Sequence, residues 1–355
     1  MIILSNCLTQ KLDEGSLKVA NNLIKWIKKS APETLIVSYE RQLSVSDRHL
    51  PINKWLLNWE LIGLLRQKKE PVLYIPFPAR MLPTALRIFI LSRFARWGLQ
   101  TMIVMQGVMN KPAQWLIKAS KAQILTVSRP TWKIYRDLIG ERAVYLKTGV
   151  NTERFSPVAD AQKKALREKY DLPQDKPIVL HVGHMNAGRN IGHLLNLDEK
   201  WHILLVTSTL APEAQNEALR KCFREKANVT LIDRYQPNIE ELYQLADVYF
   251  FPVLDASHCI DVPLSALEAA ACGVPVVTTH FGEMQQMIGK EGFYAIESFQ
   301  PADLDALLQK AVAQRGNPRQ AVLEYDWNFA VNQLLLQDKS TALRADYTLE
   351  KEESL

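Results

Sequence analysis

The chain has 355 residues, 47% of them hydrophobic and 23% charged, with a formal net charge of +5. This is the composition of an ordinary globular protein, and the length favours about two domains over one core. No apolar run reaches the roughly 18 residues of a membrane span, and four cysteines (Cys7, Cys222, Cys259, Cys272) without CxxC spacing argue against a disulfide framework or a zinc site.

The N-terminus, "MIILSNCLTQK", reads as a first β-strand rather than a signal peptide, because it lacks a basic start and a small-residue cleavage site. Further apolar strands are expected at Leu35–Tyr39, Val72–Ile75, Met102–Met105, Ile124–Val127 and Val144–Leu146, with helices such as Ser16–Lys29 and Thr131–Ile139 between them. Residues 155–176 replace apolar periodicity with turn-forming and charged residues, which places the domain break there. A second series follows: "PIVLHVG" (177–183), "HILLVT" (202–207), "NVTLI" (228–232), "VYFFPV" (248–253) and "PVVTT" (275–279). Helices at Glu213–Arg224, Ile239–Leu245 and Pro301–Ala313 separate these strands. Repeated β-then-α, twice over, predicts two doubly wound parallel sheets. The expected division is 1–160, 161–330 and a C-terminal stretch 331–355.

Charge divides the chain as well. Over residues 1–150 basic side chains outnumber acidic ones more than twofold, and beyond residue 150 the balance is acidic. A basic first half suits an anionic acceptor or an anionic membrane surface. Lys18, Lys25 and Lys29 fall on one helical stripe, which most simply reads as a solvated face. "TALRIFILSRFARWG" is apolar nearly all round and reads as a half-buried helix with snorkelling arginines. Trp55, Trp59 and Trp97 are candidates for either surface or core. Nucleic acid is not the expected partner, since neither aromatic-studded RNA-binding strands nor zinc-finger spacing occurs. No G-x-G-x-x-G follows either first strand, which argues against a dehydrogenase. No His/Asp cluster at ligand spacing points to a metal.

The stretch "LEAAACGVPVVTT" (267–279) joins a small-residue helix, which can lie close on a sheet, to a buried strand through Gly273. With "ELYQLADVYFFPV" and "PLSALEAAACGVPVVTTHFGEMQQMI" it resembles the donor site of the family 4 (GT4) glycosyltransferases of the GT-B fold. "TVSRPTWKIYRDLIGERAVYLKTGVNTERFSP" is similar to that family's interdomain segment, "VLHVGHMNAGRNIGHLL" to its phosphate-binding turn, and "YDWNFAVNQLLL" to its closing helix. The matches run in order over roughly residues 120–337. The resemblance implies two Rossmann-like domains facing a cleft, with a C-terminal helix returning to the N-domain. It further implies a retaining enzyme that uses a nucleotide-diphosphate sugar as donor substrate, without cofactor or metal.

Site residues carry over position by position. Arg189, six residues after Gly183, stands where the family carries a phosphate-binding lysine, and a guanidinium grips phosphate bidentately. His184 stands where the family has arginine; it is either a phosphate donor or a loop histidine. Glu268 matches the second glutamate of a pair spaced eight apart, and its carboxylate suits the two ribose hydroxyls. Leu264 and Ser265 fall in the same donor segment. In the N-domain, Gly15 and Ser16 of "DEGS" head the first helix, where backbone N–H groups can face a phosphate. Two positions depart from the pattern. Ile260 replaces the first glutamate, leaving Asp261 and Asp255 as nearby carboxylates, and Gln106 stands where relatives have a histidine. Gln106 and Asp261 are therefore the positions expected beside the reacting sugar.

The expected protein is thus a glycosyltransferase acting on a glycan, lipid-linked or other small acceptor. It is expected in the cytoplasm, peripheral at the inner face of the membrane through its basic domain. The alternative is a catalytically silent GT-B subunit that binds nucleotide-sugar or partners an active enzyme, motivated by Ile260 and Gln106. A GT-B epimerase is a weaker third reading.

Overall fold

The structure is a computed structural model, which describes residues 1–6, 15–39, 46–51, 58–76, 81–104, 110–207, 216–254 and 259–336. The chain divides into two compact units, one of residues 1–148 with 327–355 and one of residues 149–326. The stretch 155–176, read from sequence as the break, lies inside the second unit and carries a helix.

In the first unit β1 (Ile2–Ser5) leads into α1 (Gly15–Ser30) and β2 (Leu35–Ser38), with β3 (Arg48–His49) as a two-residue edge strand. Then α2 (Trp59–Gln67), β4 (Val72–Ile75), α3 (Met81–Leu91), β5 (Leu99–Ile103), α4 (Lys111–Ala119), β6 (Gln123–Thr126), α5 (Arg129–Ile139) and β7 (Ala143–Tyr145) alternate. All seven strands are parallel, in the order β3-β2-β1-β4-β5-β6-β7. Parallel strands covered on both faces must be apolar throughout, and Ile2, Ile3, Leu4, Leu73 and Tyr74 are each fully buried. A closing helix over residues 327–336 belongs to this unit, and its Gln333 donates to the Tyr145 carbonyl at 3.3 Å.

The second unit runs α6 (Asp160–Lys169), β8 (Ile178–Val182), β9 (His202–Val206), α7 (Glu217–Arg224), β10 (Val229–Ile232) and α8 (Ile239–Gln244). It continues with β11 (Val248–Phe251), α9 (Leu264–Ala271), β12 (Val276–Thr278), β13 (Phe293–Ala295), α10 (Pro301–Gln314) and α11 (Pro318–Val322). Its six parallel strands take the order β10-β9-β8-β11-β12-β13. Helix α9 is buried almost end to end because Ala266, Ala269, Ala270 and Ala271 let it lie close on the sheet. Gly149, at φ +144°, opens the unit; a Cβ there would meet Leu264 Cδ2 at 2.8 Å and Leu267 Cδ1 at 3.0 Å. Among the described residues no helix is long and apolar enough to cross a membrane.

Candidate functional site

The strand order of the second unit reverses between β8 and β11. In open parallel sheets, ligands bind outside the carboxyl ends of the strands at that switch point. The two segments leaving these ends are Gly183–Arg189, after β8, and the chain that reaches α9 at Leu264, after β11.

Gly183 makes the first segment possible. A Cβ there would stand 2.8 Å from Arg189 Nη1 and 3.2 Å from His181 Nε2, so only glycine lets the guanidinium fold back over the strand end. Arg189 closes a short 3₁₀ turn, Ala187–Arg189, and its backbone N–H donates to Asn186 Oδ1 at 3.1 Å. The arginine is only 8% exposed, which excludes a solvated position. Its Nε has no hydrogen-bond partner and the side chain forms no ion pair among the described residues. A buried cation without a directly paired carboxylate is costly, so such a group marks a place for an anion.

His181 lies directly beneath. Its Nδ1 is 2.8 Å from the Phe250 carbonyl, and since a carbonyl only accepts, Nδ1 carries the proton and Nε2 keeps a lone pair. Burial pushes the imidazole down to about 3, and the neighbouring Arg189 charge acts in the same direction against the Phe250 bond. The ring is therefore a neutral acceptor, and Nε2 has no partner among the described residues.

From His181 a buried aromatic run leads to Glu268. The ring stacks on Tyr249 with centroids 6.3 Å apart, and Tyr249 meets Tyr243 at 5.8 Å. Tyr249 donates to the Val182 carbonyl at 3.2 Å and is hydrogen-bonded by Ser265 of α9. Tyr243 donates to Glu268 Oε2 at 3.0 Å. Burial, then the Glu268 charge, pushes the Tyr243 phenol upward, so it remains the donor. Glu268 is 2% exposed, which rules out the solvated face that a bare helix–strand joint would give it. Burial pushes the Cys272 thiol up too, and Glu268 adds to it.

Asp261 is 4% exposed, and Ile260 beside it is buried apolar surface. The Asp261 carbonyl accepts from the Glu283 N–H at 2.8 Å, and Gly282 (φ +50°) is required because a Cβ would collide with that carbonyl. Glu283 is fully buried and accepts from the Tyr325 hydroxyl. Cys259 feels burial, which raises its pKa, then Arg189, which lowers it, and Asp261, which raises it. Arg189 and Asp261 thus lie within electrostatic reach of one thiol. His184 is half-buried on the loop after Gly183, and Leu264 opens α9 in a buried position.

The second unit thereby brings Gly183, Arg189, Ser265 and Glu268 into one neighbourhood, bridged by His181, Tyr249 and Tyr243. Those three bridging residues, and Glu283, were not visible in the sequence. The alternation of β8 marks His181 as a strand position, but only its pairing with a strand some 70 residues away reveals the orphaned nitrogen. In the first unit, Gly15 and Ser16 begin α1, with Ser16 buried. Gln106, Asp255, Cys7 and Trp55 lie outside the described residues.

Comparison with known proteins finds similarity in both sequence and fold. The family model for glycosyl transferases group 1 matches residues 176–314, the heart of the second unit. A D-inositol 3-phosphate glycosyltransferase of Geodermatophilus obscurus is 27% identical over 219 residues, 55% of this chain and 46% of the relative. A GDP-mannose-dependent alpha-(1-6)-phosphatidylinositol monomannoside mannosyltransferase of Mycolicibacterium smegmatis is 27% identical over 215 residues, 56% of this chain and 55% of the relative. The matches span about half the length of these curated relatives. A solved glycosyltransferase of Rickettsia africae superposes with a TM-score of 0.74 at 14% identity, covering 96% of this chain and 98% of that one. Residues 176–314 thus match the glycosyl transferases group 1 family, and the two parallel Rossmann-like sheets share the GT-B fold of solved glycosyltransferases.

Proposed function

We propose that the chain transfers a sugar from a nucleotide-diphosphate sugar to a small or lipid-linked acceptor, with retention of anomeric configuration and without a metal. The observation that carries this reading is Arg189, buried at the switch point with its Nε unpartnered and no ion pair among the described residues. A diphosphate supplies that charge, and negative charge grows on it as the glycosidic bond breaks, so a fixed guanidinium there lowers the barrier. Glu268, held by Tyr243, is the acceptor group for the ribose hydroxyls, and His181 Nε2 offers a second acceptor in the same dry place. Asp261 is the carboxylate assigned to the sugar, and Gln106 of the first unit is the other position assigned to it.

A GDP-mannose-dependent relative supports the donor class, and an inositol-phosphate acceptor in another suits the basic first half of this chain. The two are enzymes by name, and no observation on the described residues favours a silent subunit. The test is sugar release from UDP-, GDP- and ADP-sugars without acceptor. Slow release of the sugar as its retained anomer, unaffected by chelator, is expected for one of them. Release that requires a divalent cation, or the inverted anomer, contradicts the mechanism, and no release from any of them contradicts the activity.

A further inference from the structure

Glu283 is a fully buried carboxylate to which the transfer reaction gives no part. It follows β12 as Asp261 follows β11, and these strands are paired neighbours in the sheet. Both residues therefore leave the carboxyl side of the sheet, the side that takes ligands. Gly282 lies so close on the backbone of Asp261 that no Cβ fits between them, and the Glu283 N–H closes the contact at 2.8 Å on the Asp261 carbonyl. An apolar side chain at 283 would close such a turn equally well. A carboxylate shut away from water is a costly choice unless donors hold it.

The Tyr325 hydroxyl is such a donor, and the ring is buried with it. Tyr325 stands on fixed backbone. Its carbonyl accepts from the Val150 N–H at 3.1 Å. The next residue, Asp326, is a buried carboxylate that accepts from the Thr152 N–H at 2.8 Å and from its hydroxyl at 2.7 Å. Arg319 adds a third tie, donating to the Thr152 carbonyl at 2.9 Å and to the Phe155 carbonyl at 2.8 Å. The stretches 150–155 and 319–326 are thereby locked together within the second unit. Position passes from that lock, through the Tyr325 hydroxyl and the Glu283 carboxylate, to the backbone of Asp261. Ile260 occupies the place where the family resemblance puts a carboxylate, so the aim of the neighbouring Asp261 depends on this turn.

We propose that Glu283 and Tyr325 are positioning residues for the donor sugar, holding the Asp261 segment so that its carboxylate meets the sugar. This deepens the transferase reading and rests on it. Both side chains are closed off from the surface, so they act through Asp261 rather than on the donor itself. Their effect therefore falls on the sugar and not on the diphosphate, which Arg189 holds from the turn after β8. Support of this kind matters because a misplacement of about 1 Å costs on the order of 100-fold in rate. One property separates the pair from a contact that merely stabilises the fold. It falls silent once Asp261 can no longer act.

The test is calorimetric titration with a nucleotide-sugar and with its nucleotide diphosphate, in wild type, Tyr325→Phe, Asp261→Asn and the double variant. The ratio of the two affinities isolates the sugar. Tyr325→Phe removes one hydroxyl and should weaken nucleotide-sugar binding about fivefold, the scale of one lost hydrogen bond, with diphosphate affinity unchanged. Asp261→Asn should lower the same ratio, and adding Tyr325→Phe to it should cost nothing further, because residues that act as one unit are not additive. Glu283→Leu should lower the ratio too, and Tyr325→Phe carries the test by itself if that variant does not fold. An unchanged ratio in Tyr325→Phe, an equal loss of diphosphate affinity, or full additivity in the double variant overturns the assignment alone. Failure of the wild type to bind any of the UDP-, GDP- and ADP-sugars overturns the transferase reading and this assignment with it, so the two failures are distinguishable.

Discussion

At the scale of single residues, the site depends on what stands between Gly183 and Arg189. Gly183→Ala would push a methyl into the guanidinium, because Nη1 lies 2.8 Å from where a Cβ would stand, and at φ +157° it would strain the backbone too, so donor affinity should fall together with some stability. Titration calorimetry checks it; unchanged affinity would mean that the arginine does not need this place. His181 makes a separate prediction. Its folded pKa is about 3 against about 6.5 for an unfolded histidine, so the unfolded chain takes up a proton that the folded chain refuses. Its neutral form costs nothing above pH 6.5, and stability falls as pH drops from there towards 3. Between about pH 7.5 and about pH 5 this amounts to about 2 kcal/mol. His181→Asn keeps a donor for the Phe250 carbonyl and removes the titration, so denaturant curves for the variant should lack that loss. A wild-type pH slope in the variant would clear His181. Arg189 and Glu268 were singled out in the sequence through the family resemblance of the segments around them. His181 and Tyr243 were not, because their partners are Phe250 and Glu268 across the sheet and an adjoining helix.

At the scale of elements, Asp247 ties α6 to the sheet. It accepts from Lys163 at 2.8 Å, from Arg167, and from the Ile178 N–H at 2.7 Å, so it links α6 to the starts of both strands that flank the switch point. Burial alone would raise this carboxyl, but Lys163, the Ile178 N–H and Arg167 outweigh it and hold the pKa below the usual carboxylate value. Its contribution is present above the unfolded pKa of about 3.9 and is lost as pH falls through the lower folded value. Asp247→Ala should cost about 3–5 kcal/mol near neutral pH, because buried Arg167 and half-buried Lys163 lose their partner. The difference from wild type should shrink in acid, and urea melts in neutral and acidic buffer would show whether it does. Most strands were legible as apolar runs; β13 (Phe293–Ala295) was not among those expected, and two further departures are instructive. The strand expected at Met102–Met105 is β5, Leu99–Ile103, because buried Gln100 and Thr101 belong to it. Gln100 donates to Gln123 Oε1 at 3.2 Å across the ladder, a pairing that makes polar residues fit a parallel strand and hides it from a hydrophobicity pattern. The edge strand β3 is two residues, Arg48 and His49, too short and too polar to be read.

At the scale of the whole molecule, two parallel sheets of seven and six strands reproduce the doubled β-then-α pattern of the sequence, and the second holds the residues assigned to the donor. Its ligand side is legible from strand order alone once the sheet is known, whereas the acceptor is not, since Gln106 lies outside the described residues. The central claim is that Arg189 holds the donor diphosphate. Calorimetric titration of wild type and Arg189→Ala with UDP-, GDP- and ADP-sugars tests it most directly. One nucleotide-sugar should bind the wild type, and the substitution should weaken it by about 1.5–3 kcal/mol with the fold intact by circular dichroism. Equal affinity in the two proteins would contradict the claim.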